Sequence, residues 1–309
     1  YYFILFYFVF ASKKINQQKL FKLIVLTGIL LFVLNNIQYL LWNKVHIFQS
    51  DYIRAQIRAG SLRFLEGGFF TLFTPIITFG EYLKTNKKIY LFAFIYMVIT
   101  VIIQGKTRAV IFGLTVTVFL MLYLSRRITF KKVAYIAPSL IIVSILVVPL
   151  LKSTFLGKLY KQTESEVGGI TGNVGIRIIG YKYYFGEVSK SPLFGRGIWN
   201  FTSTKGNPEN MEDEKLFLSD IGIMWFLFHF GMLGAIWLLF LLIRVYKTAF
   251  QNFNKLKEGV HYGLIGYFVF SLSTMVTIDC FTSHAAIIYL TLTLALLNQP
   301  YQIKQNGIC

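Results

Sequence analysis

The feature that most constrains this chain is an alternation: long apolar runs joined by loops, every second one rich in Lys and Arg. Loops 12–22 (Lys13, Lys14, Lys19, Lys22), 84–88 (Lys84, Lys87, Lys88), 125–132 (Arg126, Arg127, Lys131, Lys132) and 244–258 (Arg244, Lys247, Lys255, Lys257) carry cations and almost no acids. The intervening loops hold nearly all the carboxylates, including those of the long polar stretch 152–216. Lys and Arg are retained on the cytoplasmic side of a bilayer, so such a pattern orients a polytopic protein. The stretch 152–216 is therefore expected to face outward.

Only 14% of the residues are charged and 55% are hydrophobic, whereas soluble domains carry about 25% charged residues. A soluble globular domain is excluded. The net charge of +18 does not mark a nucleic-acid partner, because the cations flank membrane runs, where they meet anionic head groups. No basic face with interleaved aromatics accompanies them. Cys280 and Cys309 cannot make a disulfide framework, and no Cys/His cluster has zinc-ligand spacing. No metal and no cofactor is called for.

With about 17–25 residues per crossing, helices are expected near 1–11 (partial), 20–36, 66–82, 88–104, 108–125, 132–151, 217–243, 261–279 and 283–298. The chain starts Tyr1-Tyr2 within an apolar run too short to span, as though an N-terminal portion were missing. The expected fold is all-α, a polytopic transmembrane bundle of about nine spans in one membrane domain, 1–309. Outward segments are 37–65, the tight turn Gln104–Thr107, the large extracytoplasmic loop 152–216 and a short hairpin at Asp279–Ser283. Within the large loop, Asn173 is positioned to cap a surface helix through Ile176, Ile179, Tyr183 and Val188, ending before Ser191-Pro192. Gly195-Arg196-Gly197 reads as a turn, and 51–59 as a second surface helix with Arg54 and Arg58 on one face.

Three residues stand out chemically. Arg108 follows Gln104-Gly105-Lys106-Thr107 at the outward end of a span. A guanidinium there can grip a phosphate through two parallel hydrogen bonds or simply snorkel to head groups. Arg177 sits among Val174, Ile176, Ile178 and Ile179 and needs an anion if it faces the bundle; a head-group-facing role is the alternative. Asp220 lies inside an apolar run, one turn beyond the acidic cap Glu212-Asp213-Glu214. A carboxylate at that depth needs a partner, or else complements the helix dipole. His229 is a mid-span titratable residue, a type more often satisfied in a core than used as a relay.

Taken in order, these elements resemble the O-antigen polymerase and O-antigen ligase family, the Wzy-like oligosaccharide repeat-unit polymerases. They are an Arg after a Gly at an outward helix end, Arg177 opening a helix that ends in Ser191-Pro192-Leu193-Phe194-Gly195-Arg196-Gly197, and Ser219-Asp220-Ile221-Gly222 entering a span. The likeness covers roughly 84–298. It implies a glycosyltransferase on the outer face of a bacterial cytoplasmic (inner) membrane. A glycan carried on polyprenyl pyrophosphate would pass to an acceptor sugar, building O-antigen, capsule or exopolysaccharide. Partners would be the lipid-linked oligosaccharide, membrane lipids and other polysaccharide assembly and chain-length proteins. Arg108 and Arg177, with Lys106 and Arg196, would hold the pyrophosphate.

The window before the acidic segment, Glu212-Asp213-Glu214-Lys215-Leu216, lacks the His of ligases and many polymerases. That departure argues against a ligase and leaves Asp220, Glu214 and His284 as candidate general bases, with Asp51 more distant. A ligase, a lipid-linked glycan transporter or flippase, and a non-catalytic scaffold are the competing readings.

Overall fold

The computed structural model describes residues 17–42, 44, 56–58, 61–65, 68, 70–105, 107–127, 172–197, 221–256 and 259–275. Among these are seven α-helices: α1 (Gln17–Leu40), α2 (Phe70–Thr85), α3 (Lys88–Thr100), α4 (Arg108–Leu124), α5 (Gly172–Ser189), α6 (Ile223–Leu256) and α7 (Gly259–Thr274). A π-helical turn, Val101–Gly105, continues α3. The expected helices at 1–11, 132–151 and 283–298 lie outside the described residues.

Three segments, Lys19–Leu40, Lys88–Gly105 and Ile223–Thr248, are long and apolar enough to cross a membrane, and Arg108–Leu124 is a shorter apolar helix. Apolar side chains such as Leu26, Phe92, Phe112, Trp237 and Phe240 stand exposed around the periphery. In water such a surface would drive association; in lipid it is the ordinary exterior.

Two helices run past their expected ends. Arg244 and Lys247 lie within α6, and Lys19 within α1, because Lys and Arg are good helix formers and a helix need not stop where its hydropathy does. A sharper difference concerns 51–59. Gln56–Arg58 is a strand, paired antiparallel with Ser61–Arg63 in the register Gln56↔Arg63, Ile57↔Leu62 and Arg58↔Ser61. This corrects the surface helix expected there.

The core is built around α2 and α7, which pack on each other. α7 also packs on α4, and α3 and α1 close around α2. Residues 73–80 of α2 are buried without a break, so this helix has no solvent or lipid stripe there. Its threonines satisfy their own hydroxyls: Thr78 Oγ1 donates to the Thr74 carbonyl at 2.8 Å and Thr74 Oγ1 to Phe70 at 2.9 Å. Contact with α7 depends on missing side chains. A Cβ on Gly80 would lie 2.4 Å from the Gly259 carbonyl oxygen and 2.6 Å from the Gly263 nitrogen. Small residues that let backbones approach are how apolar helices associate where the hydrophobic effect is absent.

The bundle has two chemically distinct ends. At one, Arg127 Nη2 donates to the Leu83 carbonyl at 3.1 Å and to Asn86 Oδ1, and its guanidinium lies 4.8 Å from the Tyr82 ring centroid. Gly259 packs against Glu81 at the same end. Residues from loops 84–88 and 125–132 and from the α6–α7 junction thus converge, as their common basic character leads one to expect. The opposite end gathers the C-termini of α1 and α7, the π-helical turn and the start of α4.

Candidate functional site

That opposite end carries the candidate site. α1 and α3 meet there through polar groups that apolar helices can hold only in pairs. Asn36 Nδ2 donates to Tyr96 Oη at 2.7 Å and Thr100 Oγ1 at 3.1 Å, and Gln104 Nε2 donates to Asn36 Oδ1 at 2.9 Å. Asn35, Gln38, Thr100 and Gln104 are all buried. Gln104 Oε1 is buried with no hydrogen-bond partner among the described residues, a condition that costs on the order of 1–3 kcal/mol. The Gln104 carbonyl accepts the Phe64 amide at 3.2 Å, tying the segment after the hairpin to the π-helical turn.

This cluster was not singled out in the sequence, although a signal was present. Tyr96, Thr100 and Gln104 recur every four residues, and Asn35, Asn36 and Gln38 interrupt an otherwise apolar run. Four-residue spacing puts the first three on one helical face.

After the turn, Thr107 is extended (φ −105°, ψ 110°) and its hydroxyl donates to the Gly105 carbonyl at 3.0 Å rather than capping the helix that follows. Its own carbonyl accepts the Val110 and Ile111 amides, which starts α4 at Arg108. A cation at a helix N-terminus opposes the macrodipole, at a cost of about 0.3–1 kcal/mol. Arg108, half-buried, is therefore not there for the helix.

Arg177 lies on α5, which starts at Gly172, one residue before the expected cap Asn173. One turn on, Tyr181 Oη donates to the Ile221 carbonyl at 3.1 Å. Burial pushes the Tyr181 phenol above its ordinary pKa, an effect the Arg177 guanidinium partly offsets. The hydroxyl is a neutral donor at pH 7. Two residues past Ile221, the Ile223 amide donates to the Met275 carbonyl at 2.8 Å, just beyond α7. Thr274 in turn lies against Gly113 of α4. Continuous contact from Tyr181 through Ile221, Met275 and Thr274 to Gly113 carries Arg177 to the same end of the bundle as Arg108.

Arg196 is held differently. α6 is broken at Gly231 (φ 61°, ψ −161°), which leaves carbonyls and amides on both sides without helical partners. Segment 192–197 fills the gap. Arg196 N donates to Phe228 O at 2.7 Å and Gly197 N to His229 O at 3.2 Å, while Met232 N donates to Pro192 O at 2.8 Å and Leu233 N to Leu193 O at 3.1 Å. The Arg196 side chain reaches Glu187 Oε2 at 3.4 Å, and Glu187 also pairs with Lys190. His229 is satisfied within this joint: Nδ1 donates to the Trp225 carbonyl at 2.8 Å, and its ring stacks on Trp225 with centroids 4.0 Å apart.

Of the sequence-derived candidates, the structure places Arg108 and Arg177 at one end and engages Arg196 with Glu187. Lys106, Glu214, Asp220 and His284 lie outside the described residues. Among the described residues no group of three His, Cys, Asp or Glu could hold a metal. No protein-family model matches the chain, and no curated protein matches it.

Proposed function

We propose that this protein is a membrane glycosyltransferase that polymerises oligosaccharide repeat units carried on polyprenyl pyrophosphate, on the face opposite its basic loops. The observation that carries this reading is the shared placement of Arg108 and Arg177, joined by the contacts from Tyr181 to Gly113. In this reading about nine helices span the bilayer, and 152–216 forms an outer lid that includes α5.

In the reaction, an acceptor sugar hydroxyl attacks the anomeric carbon of the donor glycan. The carbon–oxygen bond to pyrophosphate breaks, and the hydroxyl proton passes to a carboxylate or imidazole, with Asp220, Glu214 and His284 as the candidates. Negative charge grows on the leaving pyrophosphate, and fixed guanidinium groups stabilise it in the transition state. Arg108 and Arg177 take that role, while Arg196, paired with Glu187, positions the loop.

The broken helix α6 favours one competing reading, a lipid-linked glycan transporter, because transporters use helix breaks to bind ions. Here the four backbone groups flanking Gly231 already bond to 192–197, so the break is accounted for without a coupling ion.

The test is turnover by the full chain in nanodiscs, with authentic polyprenyl-pyrophosphate-linked repeat units resolved on a gel. A ladder of products is expected, and Arg108→Ala and Arg177→Ala should each lower its rate by about 10²–10³-fold, the scale of losing one transition-state contact, with insertion intact. Near-normal rates in both variants would overturn the assignment. Movement of the lipid-linked glycan between leaflets without elongation would support the transporter.

A further inference from the structure

Between α3 and α4 lies an apolar groove of about 210 Å³. Ile111, Thr115, Val118 and Leu122 form its α4 wall, and Val98 and Ile102 stand on the α3 side. Steps of four, three and four residues keep the α4 wall on one helical face. One further step of three, back from Ile111, arrives at Arg108. The groove therefore runs along the stripe that Arg108 heads, and no charged residue lines it. Its single hydroxyl is already used, since Thr115 Oγ1 donates to the Ile111 carbonyl at 2.8 Å.

At 1.5 Å per residue the α4 wall is roughly 16 Å long, and one stripe from each helix bounds it. A hydrocarbon path of single-chain width ending at a cation fits an amphiphile with one chain and an anionic head. A bulk phospholipid, with two chains, fits it less well. We propose that this groove seats the isoprenoid chain of the polyprenyl carrier, its phosphate meeting Arg108. The inference rests on the glycosyltransferase reading and adds to it where the lipid lies.

The test uses the full chain in phosphatidylcholine nanodiscs and a polyprenyl phosphate bearing a photoactivatable group on its chain. Label is expected in α3 and α4. Arg108→Ala should reduce it at least about tenfold, as for one charge-assisted contact. Thr115→Trp should block it by filling the groove; position 115 is exposed, so the bundle tolerates the larger side chain. Phe240→Trp, exposed on α6 and not part of the groove, is the control and should label normally. Labelling elsewhere, or equal displacement by phosphatidylglycerol, would overturn the groove as a carrier site and make it an ordinary lipid contact. A glycan ladder that persists in Thr115→Trp would sink the groove alone. Groove labelling as expected, with no ladder from the unaltered protein, would sink the polymerase alone.

Discussion

In the central pair, α2 and α7, contact is set where side chains are missing: Gly80 brings its backbone against Gly259 and Gly263. In the outer pair, α5 and α6, it is set where the helix is missing. The break at Gly231 exposes backbone groups, and 192–197 pairs with them. Apart from the bond that Pro75 cannot donate, the first joint leaves its helices unbroken and gains close dispersion contact. The second gives up helical bonds and replaces them with bonds between segments, which is tolerable in a membrane only where protein encloses the backbone. The difference separates a rigid core carrying Arg108 from an attached unit carrying Arg177. In the proposed reaction a pyrophosphate held by both would bridge the two.

The largest effect is expected from Gly80→Leu. Its side chain has to enter space already occupied by the Gly259 oxygen and Gly263 nitrogen, which are backbone atoms and cannot rotate away. Overpacking by this much is expected to cost about 3 kcal/mol or more. The check is the yield of monodisperse protein in detergent and its Tm, both of which should fall sharply. An unchanged Tm would mean that α2 and α7 are not packed at this point.

Gly231→Ala should act locally. Position 231 occupies a backbone region that is essentially glycine-only, where other residues carry about 1–3 kcal/mol of strain. Its new Cβ would also lie 2.5 Å from the Gly195 nitrogen and the Leu193 oxygen. Hydrogen exchange should quicken at the Arg196, Gly197, Met232 and Leu233 amides while core amides of α2 and α7 stay protected. Gly195→Ala should reproduce the pattern, because the two glycines face each other across the same joint. Loss of protection throughout would show that the outer pair is no separate unit.

Hydropathy made the peripheral helices legible. α1, α3 and α6 were expected because their apolar residues face outward, and they supply the three segments that meet the length and apolarity of a span. The central helices are harder to bound. α2 and α7 are sixteen residues each and are rich in buried Thr, Ser and Gly, since neighbours rather than lipid surround them. Arg108 and Arg177 could be picked out because charge in an apolar context is costly wherever it falls. The Asn36–Gln104 network is a contact between helices more than sixty residues apart, and a periodicity within one helix carries no partner's name. The joint at Gly231 was hidden for a similar reason. Gly195-Arg196-Gly197 announces a turn, but nothing in the chain says that the turn's partner is a broken helix.

The finest test concerns how firmly the outer unit is tied to the core. Tyr181→Phe removes one hydroxyl that donates to the Ile221 carbonyl and leaves the ring in place. A neutral hydrogen bond contributes about 1 kcal/mol net, so the effect should be small and confined to α5 and the start of α6. The carbonyl of Ile221 is buried and would be left without that donor, which pushes the cost toward the upper end. Tyr184, fully buried and edge-on to Phe228 at 5.3 Å, still holds α5 to α6, so the helix should not detach. Hydrogen exchange at residues 177–185 should quicken by about fivefold to tenfold, the factor that 1–1.4 kcal/mol represents. An unchanged rate would mean that aromatic packing alone fixes α5, and that Arg177 owes its position to Tyr184 rather than to Tyr181.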